Sequence, residues 1–140
     1  MKTNYWLLKT EPGDYSWSDL KKDGKSVWDG VKAPAAQKNI AKMNEDDRVF
    51  IYHTGKERAI VGTAAVISSP YPDPSEKTGR YKAVDVTPLS EISPPVTLAQ
   101  IKSSGLFPHW ELVRLPRLSV VPVSPVQWNQ VLQWNHVGSD

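Results

Sequence analysis

The sequence RVFIYHTGKERAIVGTAAVI, residues 48–67, gives the clearest indication of the fold. It contains two runs rich in β-branched, aromatic and small apolar side chains, residues 49–52 and 59–67, separated by the polar segment 54–58. Two such runs joined by a short polar segment are typical of a β-hairpin. We therefore expect the chain to build a sheet that includes this antiparallel pair.

Further short strands and helices are expected on both sides of the hairpin. Strands are predicted at residues 5–9, 81–86 and 118–121, and the proline-rich segment 69–79 is a predicted loop. Helices are predicted at residues 17–22, 39–43, 98–103 and 126–134, and three of them follow capping-box patterns: Ser16 with Asp19, Thr97 with Gln100, and Ser124 with Gln127. This order of elements favours an α+β fold with a small, strongly curved sheet or barrel and helices around its rim.

Length and composition limit what the chain can do. With 140 residues, one compact domain over residues 1–140 is expected. The absence of cysteine excludes disulfides and cysteine-based zinc sites, and it fits a cytoplasmic location. The apolar run 5–8 is too short for a signal sequence or a membrane span, so no membrane association is expected. A net charge of +2 permits a polyanionic partner without requiring one.

Sequence patterns of catalysis and metal binding are missing. The three histidines, His53, His109 and His136, are far apart and lack the spacing of metal ligands. No glycine-rich loop leads into Lys-Ser or Lys-Thr, and no Gly-x-Ser-x-Gly segment occurs. We therefore expect no metal and no cofactor, although a catalytic lysine or carboxylate would need no motif.

Six tryptophans in so short a chain must fill the core or line a recognition surface. In the segment Trp28-Asp29-Gly30-Val31, Trp28 could stack on a base while backbone groups near Gly30 and Val31 read the base edge. The alternative is a core aromatic beside a plain turn. Tyr52 and His53, at a predicted strand end, could line a pocket through their hydroxyl and imidazole groups, or His53 could be a solvated or satisfied side chain.

Two later segments also carry candidate groups. Tyr71-Pro72-Asp73-Pro74 is expected to form a rigid turn, and its Asp73 could accept a hydrogen bond from the exocyclic amine of cytosine or adenine. In Arg117-Leu118-Ser119-Val120, Arg117 could reach a phosphate or a base edge, or it could form a surface salt bridge. The residues alone leave these alternatives open.

The order of these segments resembles that of the EVE domain family. Six blocks between residues 5 and 134 follow the family order: Trp6-Leu7-Leu8-Lys9-Thr10-Glu11-Pro12, Trp28-Asp29-Gly30-Val31, Tyr52-His53, Gly62 with Val66, Tyr71-Pro72-Asp73, and Arg117-Leu118-Ser119-Val120 with Pro122. The resemblance implies a PUA-like pseudo-barrel of about five to six strands with short surrounding helices. It also implies binding of modified bases in DNA or RNA, with pocket residues Lys9, Trp28, Gly30, Val31, Tyr52, His53, Tyr71, Asp73, Arg117 and Ser119.

The chain departs from the family pattern after the Trp28 block. Lys32-Ala33-Pro34 stands where the family usually has Arg-Asn. Without a side-chain amide at Ala33, a donor and an acceptor that could read a base or fix the loop are missing, so the preferred base is expected to differ.

Two other functions stay open beside the expected nucleic-acid-binding module. Related ASCH-type domains include hydrolases of modified nucleosides, and Lys9 with Asp73 or His53 would then supply the acid–base or nucleophilic groups. Exposed aromatic side chains could instead form an interface with a protein.

Overall fold

A computed structural model describes residues 3–138, and the side chains as far as Asn135. The strands are β1 (Tyr5–Thr10), β2 (Ser26–Trp28), β3 (Arg48–His53), β4 (Ala59–Val66), β5 (Tyr71–Pro72), β6 (Lys82–Thr97) and β7 (Val120–Val123). The helices are α1 (Trp17–Asp23), α2 (Pro34–Ile40), α3 (Leu98–Ser104), α4 (Glu111–Arg114) and α5 (Pro125–Gly138). The expected α+β composition is confirmed.

The predicted hairpin forms the centre of the sheet. Strands β3 and β4 pair antiparallel from Arg48 with Ala65 to His53 with Ala59, and every residue of β4 is buried. Their neighbours complete the order β2-β6-β4-β3-β1-β7, in which β1 is parallel to β3, while the short β5 pairs with β6 outside this path. The long apolar runs read from the sequence therefore occupy the strands that are covered on both faces.

The sheet curls around one of its two cores. Trp28, from strand β2 at one end of the strand order, and Val120, from β7 at the other end, belong to the same buried cluster together with Leu8 of β1. A second cluster, which includes Phe50 and Trp128, lies on the other face. Strands from opposite ends of the sheet can share one core only if the sheet bends back on itself, so the predicted strong curvature is confirmed.

The predicted helix starts at Ser16, Thr97 and Ser124 are confirmed by their caps. The Ser16 side chain accepts from the Asp19 amide, and the Asp19 carboxylate accepts from the Ser16 amide. Thr97 accepts from the amide of Gln100, and Ser124 and Gln127 form a reciprocal pair. Because these contacts span only three residues, the sequence pattern suffices to predict them.

Several predicted boundaries were wrong. The second helix begins at Pro34, whose missing N–H suits a first helical position, and it ends at Ile40 rather than Met43. Strand β6 continues to Thr97 although it contains three prolines. Its pairing with β4 shifts register along the way, and such irregularities allow a strand to include residues that cannot donate to the ladder. Strands β2 and β5 and helix α4 were not predicted, since each is too short to show a period.

Candidate functional site

An open cavity of about 430 Å³ lies where the two ends of the curled sheet approach each other. Five of the ten predicted site residues line it: Lys9, Trp28, Gly30, Val31 and Ser119. The remaining lining residues are Thr10, Glu11, Asp14, Tyr15, Ser26, Val27, Asp29 and Lys32. Its size falls within the range of small-molecule sites, about 300–1,000 Å³.

Trp28 is the last residue of strand β2, not part of a loop as predicted. It lines the cavity and also belongs to the core, with only 8% of its surface exposed. The Tyr15 ring meets it edge-on, with 6.3 Å between ring centroids and 78° between planes. The core alternative for Trp28 is therefore confirmed, and the same side chain also helps to wall the cavity, whereas its stacking on a base stays a prediction.

Sequence reasoning missed Tyr15. Its hydroxyl donates to the Asp23 carboxylate at 2.8 Å. Burial first, and then the acidic Asp23 and Asp19, raise the pKa of this phenol, while Ser26 acts in the opposite direction. The ring is thereby held in place beside the Trp28 indole. An aromatic residue directly before the Ser16 helix cap was the sole sequence signal, and it says nothing about a cavity.

Asp73 holds the loop that forms one wall of the cavity. Its Oδ2 accepts from the Gly30 amide at 2.8 Å, and its Oδ1 accepts from the amide and hydroxyl of Ser75 at 2.7 and 2.6 Å. Burial raises the pKa of this carboxyl, but the hydrogen bonds from Ser75 and Gly30 outweigh burial, so its pKa lies below the ordinary value. The carboxylate is 3% exposed and is absent from the cavity lining, so it meets protein donors instead of a base.

Gly30 adopts a left-handed conformation with φ of 74°. An L side chain would be strained there, which explains a glycine at this point of the wall. Since its amide donates to Asp73, this group is not free to read a base edge, as the sequence suggested it could.

Gln37 on helix α2 anchors the other end of the same loop. Its Nε2 donates to the Val31 carbonyl at 2.6 Å and to the Lys82 carbonyl at 3.0 Å, while its Oε1 accepts from the Lys82 amide at 2.8 Å. Ala33 is the N-cap of α2 and makes no side-chain cap bond. An alanine at this position offers no cap to the helix, and Gln37 fixes the loop instead.

Tyr71 lies behind this wall and does not line the cavity. Its hydroxyl donates to the Asp85 carboxylate, and burial, then Asp85, raise the pKa of Tyr71 to about 12. The phenol therefore stays protonated at neutral pH and continues to donate to Asp85.

Tyr52 and His53 lie outside the cavity as well. His53 is 8% exposed, its Nε2 accepts from the Trp17 amide at 3.0 Å, and its Nδ1 is 2.7 Å from the Glu57 carboxylate. These contacts fix a neutral ring with the proton on Nδ1, and they satisfy an amide of the first turn of α1. Tyr52 instead contacts the side chain of Lys9, whose Nζ lies 5.6 Å from the Tyr52 ring centroid.

Arg117 is exposed and is not among the residues that line the cavity. It borders an apolar surface with Ala33, Ala35, Leu115, Pro116 and Leu118. Within residues 3–138 it makes no ion pair, so the alternative of a surface salt bridge is not realised among the described residues.

No metal site and no membrane-spanning helix occur in the part of the chain that the structure describes. Over residues 3–138, no group of three or more histidine, aspartate or glutamate side chains could hold a metal ion. Within the same range, no helix has the length and apolar character needed to cross a bilayer.

Comparison with known proteins finds relatives in sequence and in structure. A sequence model of the EVE domain matches residues 4–134. Mouse thymocyte nuclear protein 1 is 27% identical over 164 aligned positions, which cover 93% of this chain and 73% of the mouse protein.

Two solved structures extend the comparison to three dimensions. A protein from Leishmania major is 32% identical and superposes with a TM-score of 0.93, over 99% of this chain and 98% of its own. The human THYN1 protein, solved in complex with DNA containing 5-methylcytosine, is 25% identical with a TM-score of 0.87, over 95% of this chain and 98% of its own. The PUA-like fold that the sequence implied is confirmed by these superpositions.

Proposed function

Because this chain belongs to the EVE domain family, we propose that it binds nucleic acid by holding a modified nucleobase in the cavity beside Trp28. One observation carries the proposal. This chain has the same fold as a relative that was solved with DNA containing 5-methylcytosine, and it has an open cavity with aromatic walls. Half of the residues that the family resemblance implied line this cavity. The base enters either unpaired or flipped out of a duplex.

The cavity offers both a stacking face and polar partners. Trp28 and Tyr15 supply aromatic surface, on which a base gains about 1–3 kcal/mol. Asp29 is exposed and lines the cavity, so its carboxylate takes the role of accepting from an exocyclic amine that the sequence assigned to Asp73. We therefore propose cytosine or adenine derivatives, which carry such an amine, as ligands.

Energetics favour a base that is already unpaired. Extruding a base from a duplex costs a few kcal/mol, which cancels most of the stacking gain. Burying one added methyl group contributes about 0.8 kcal/mol, which corresponds to roughly a fourfold preference for the methylated base. Single-stranded DNA with one 5-methylcytosine should accordingly bind more tightly than the matched duplex. Measuring RNA of the same sequence beside it would show which nucleic acid the protein prefers.

A binding role also accounts better than hydrolysis for the groups that the enzyme hypothesis invoked. The Lys9 ammonium donates to the Pro116 carbonyl, the Asp73 carboxylate holds Gly30 and Ser75, and the His53 ring holds Trp17. Each candidate acid or base is engaged with a separate protein partner. This arrangement supports a binding role over acid–base catalysis by these groups.

The central test replaces Trp28 by leucine and, separately, by phenylalanine. Leucine removes the aromatic face, so affinity for a single-stranded oligonucleotide with 5-methylcytosine should fall about 5- to 150-fold, the equivalent of the 1–3 kcal/mol of stacking. Phenylalanine should retain most of the affinity. Fluorescence anisotropy with modified and unmodified oligonucleotides measures both effects.

A matched control is available because Trp28 is also a core residue. Trp128 is 7% exposed and belongs to the core on the opposite face of the sheet. Trp128→Leu should cost comparable thermal stability while leaving affinity unchanged. Equal binding by Trp28→Leu and the unaltered protein, at a temperature where both are folded, would contradict the proposed function.

A further inference from the structure

A second, smaller cleft of about 190 Å³ adjoins the proposed base cavity, the space of about 430 Å³ beside Trp28. Three cationic side chains, Lys9, Arg58 and Lys102, line it together with the Tyr52 ring, and none of its lining residues is acidic. Within residues 3–138, none of these three cations forms an ion pair with a carboxylate. The cleft therefore presents an excess of positive charge, although the Glu11 carboxylate of the neighbouring cavity lies at its edge, where it accepts from the Thr54 hydroxyl at 3.2 Å.

Lys9 joins the two spaces, because it lines both of them. Its backbone amide donates to the Ser119 carbonyl at 3.0 Å, on the side of the base cavity. Its ammonium donates to the Pro116 carbonyl at 2.9 Å, in the wall of the cleft. The side chain thus runs from the base cavity into the cleft and ends there half-buried, without a counter-ion among the described residues.

The position of Arg58 is set by the backbone. Its carbonyl accepts from the Leu98 amide at 2.8 Å, and its φ of 43° is unusual for a residue with a side chain. Such conformations persist where the surrounding structure imposes them, and they concentrate at ligand sites. Arg58 is exposed, so its guanidinium remains available to a ligand.

We propose that this cleft binds the phosphate attached to the nucleoside whose base occupies the cavity. The proposal rests on the proposed function, since it extends the ligand from a base to a nucleotide. Three cationic side chains that line one cleft suit a phosphate, and an arginine can bind one through two parallel hydrogen bonds. Because Lys9 lines both the cleft and the cavity, one nucleotide can reach both.

The test uses the double variant Arg58→Gln, Lys102→Gln, which leaves Lys9 and the base cavity intact. The control is Lys38→Gln, Lys77→Gln, which removes the same charge from exposed positions outside the cleft. Calorimetry compares 5-methyl-2′-deoxycytidine with its 5′- and 3′-monophosphates. One of the two monophosphates should bind the unaltered protein about tenfold more tightly than the nucleoside, and the double variant alone should lose this gain.

Separate ligands distinguish failure of the cleft from failure of the base cavity. If the nucleoside binds but neither monophosphate gains affinity, the cleft proposal is wrong while the cavity proposal stands. If the nucleoside does not bind, a salt titration with single-stranded DNA still tests the cleft, because losing its one phosphate contact should lower the slope of log affinity against log salt concentration by about 0.7 in the double variant. An unchanged slope, or binding of inorganic phosphate as tight as that of the monophosphate, would also overturn the proposal.

Discussion

At the scale of single residues, Asp73 and Gly30 show how a buried charge shapes the cavity wall. The Asp73 carboxylate accepts three hydrogen bonds, one from Gly30 and two from Ser75. A buried acceptor with this many donors is stabilised in its charged form, and removing it leaves the donors unsatisfied. The carboxylate thereby fixes a left-handed glycine whose conformation no other residue would hold without strain.

Replacing Asp73 by asparagine should destabilise the protein by about 1–3 kcal/mol at neutral pH, because an amide nitrogen would face donor groups. The folded-state pKa of Asp73 lies below its ordinary value. Its contribution is therefore present above about pH 4, the pKa in the unfolded chain, and is lost as the pH falls through the folded-state pKa. The stability difference between variant and unaltered protein should shrink correspondingly in acid.

Urea denaturation between neutral and acidic pH measures this difference. The control is Glu45→Gln, which changes an exposed carboxylate that makes no hydrogen bond to the described residues. Its stability should follow that of the unaltered protein at each pH. A gap between Asp73→Asn and the unaltered protein that stays constant as the pH falls would argue against the role assigned to this carboxylate.

At the scale of elements, helix α1 is packed so closely on strand β4 that one position admits only glycine. A Cβ atom at Gly62 would lie 2.5 Å from the six-membered ring of Trp17. Gly62 pairs with both neighbouring strands, so the backbone cannot easily retreat from the indole. The glycine of the fourth family block is thus explained by contact with a helix that starts 45 residues earlier in the chain.

Gly62→Ala should therefore lower the free energy of unfolding by about 1–3 kcal/mol, the usual cost of overpacking. Combining it with Trp17→Leu should cost less than the sum of the two single changes, because the shorter side chain makes room for the methyl group. Gly13→Ala is the control, since its Cβ would meet only a Glu11 side-chain oxygen at 3.4 Å. Urea denaturation of the four variants gives the coupling, and strict additivity would refute the steric explanation.

The parts of the fold that could be predicted are those determined by nearby residues. The capping boxes and the β3–β4 hairpin depend on contacts within a few residues, and both were read correctly from the sequence. Strand β2 could not be predicted, because its three residues become a strand only by pairing with residues 84–86 of β6. Trp28 was therefore placed in a loop, although it is held at a sheet edge.

At the scale of the whole molecule, the cavity exists because the sheet curls. One wall comes from strand β2 and the loop after it, and the opposite wall comes from β1 and Ser119 just before β7. The sequence alone could indicate Trp28 and Lys9 through the family resemblance, but not that Tyr15 and Gln37 complete and brace the site. Those roles depend on which distant segments of the chain the curled sheet brings together, and a local sequence pattern does not contain this information.

A ligand that touches both walls should hold the ends of the curled sheet together. Strand β2 pairs with β6 alone, so its amides are expected to exchange through local opening of this edge. A nucleoside at about 100 times its dissociation constant adds about 2.7 kcal/mol of stability, which raises the melting temperature by roughly 5–10 °C for a domain of this size. Exchange at Ser26–Trp28 should slow at the same time.

Hydrogen exchange followed by mass spectrometry, with and without 5-methyl-2′-deoxycytidine, tests this expectation. The Trp28→Leu variant is the control and should show neither the thermal shift nor the added protection. Helix α5 packs against β6 on the far side of the sheet, and its locally exchanging amides should not respond. Protection confined to α5, or a thermal shift without any change at β2, would place the ligand elsewhere, because only a molecule in the cavity bridges the two ends of the sheet.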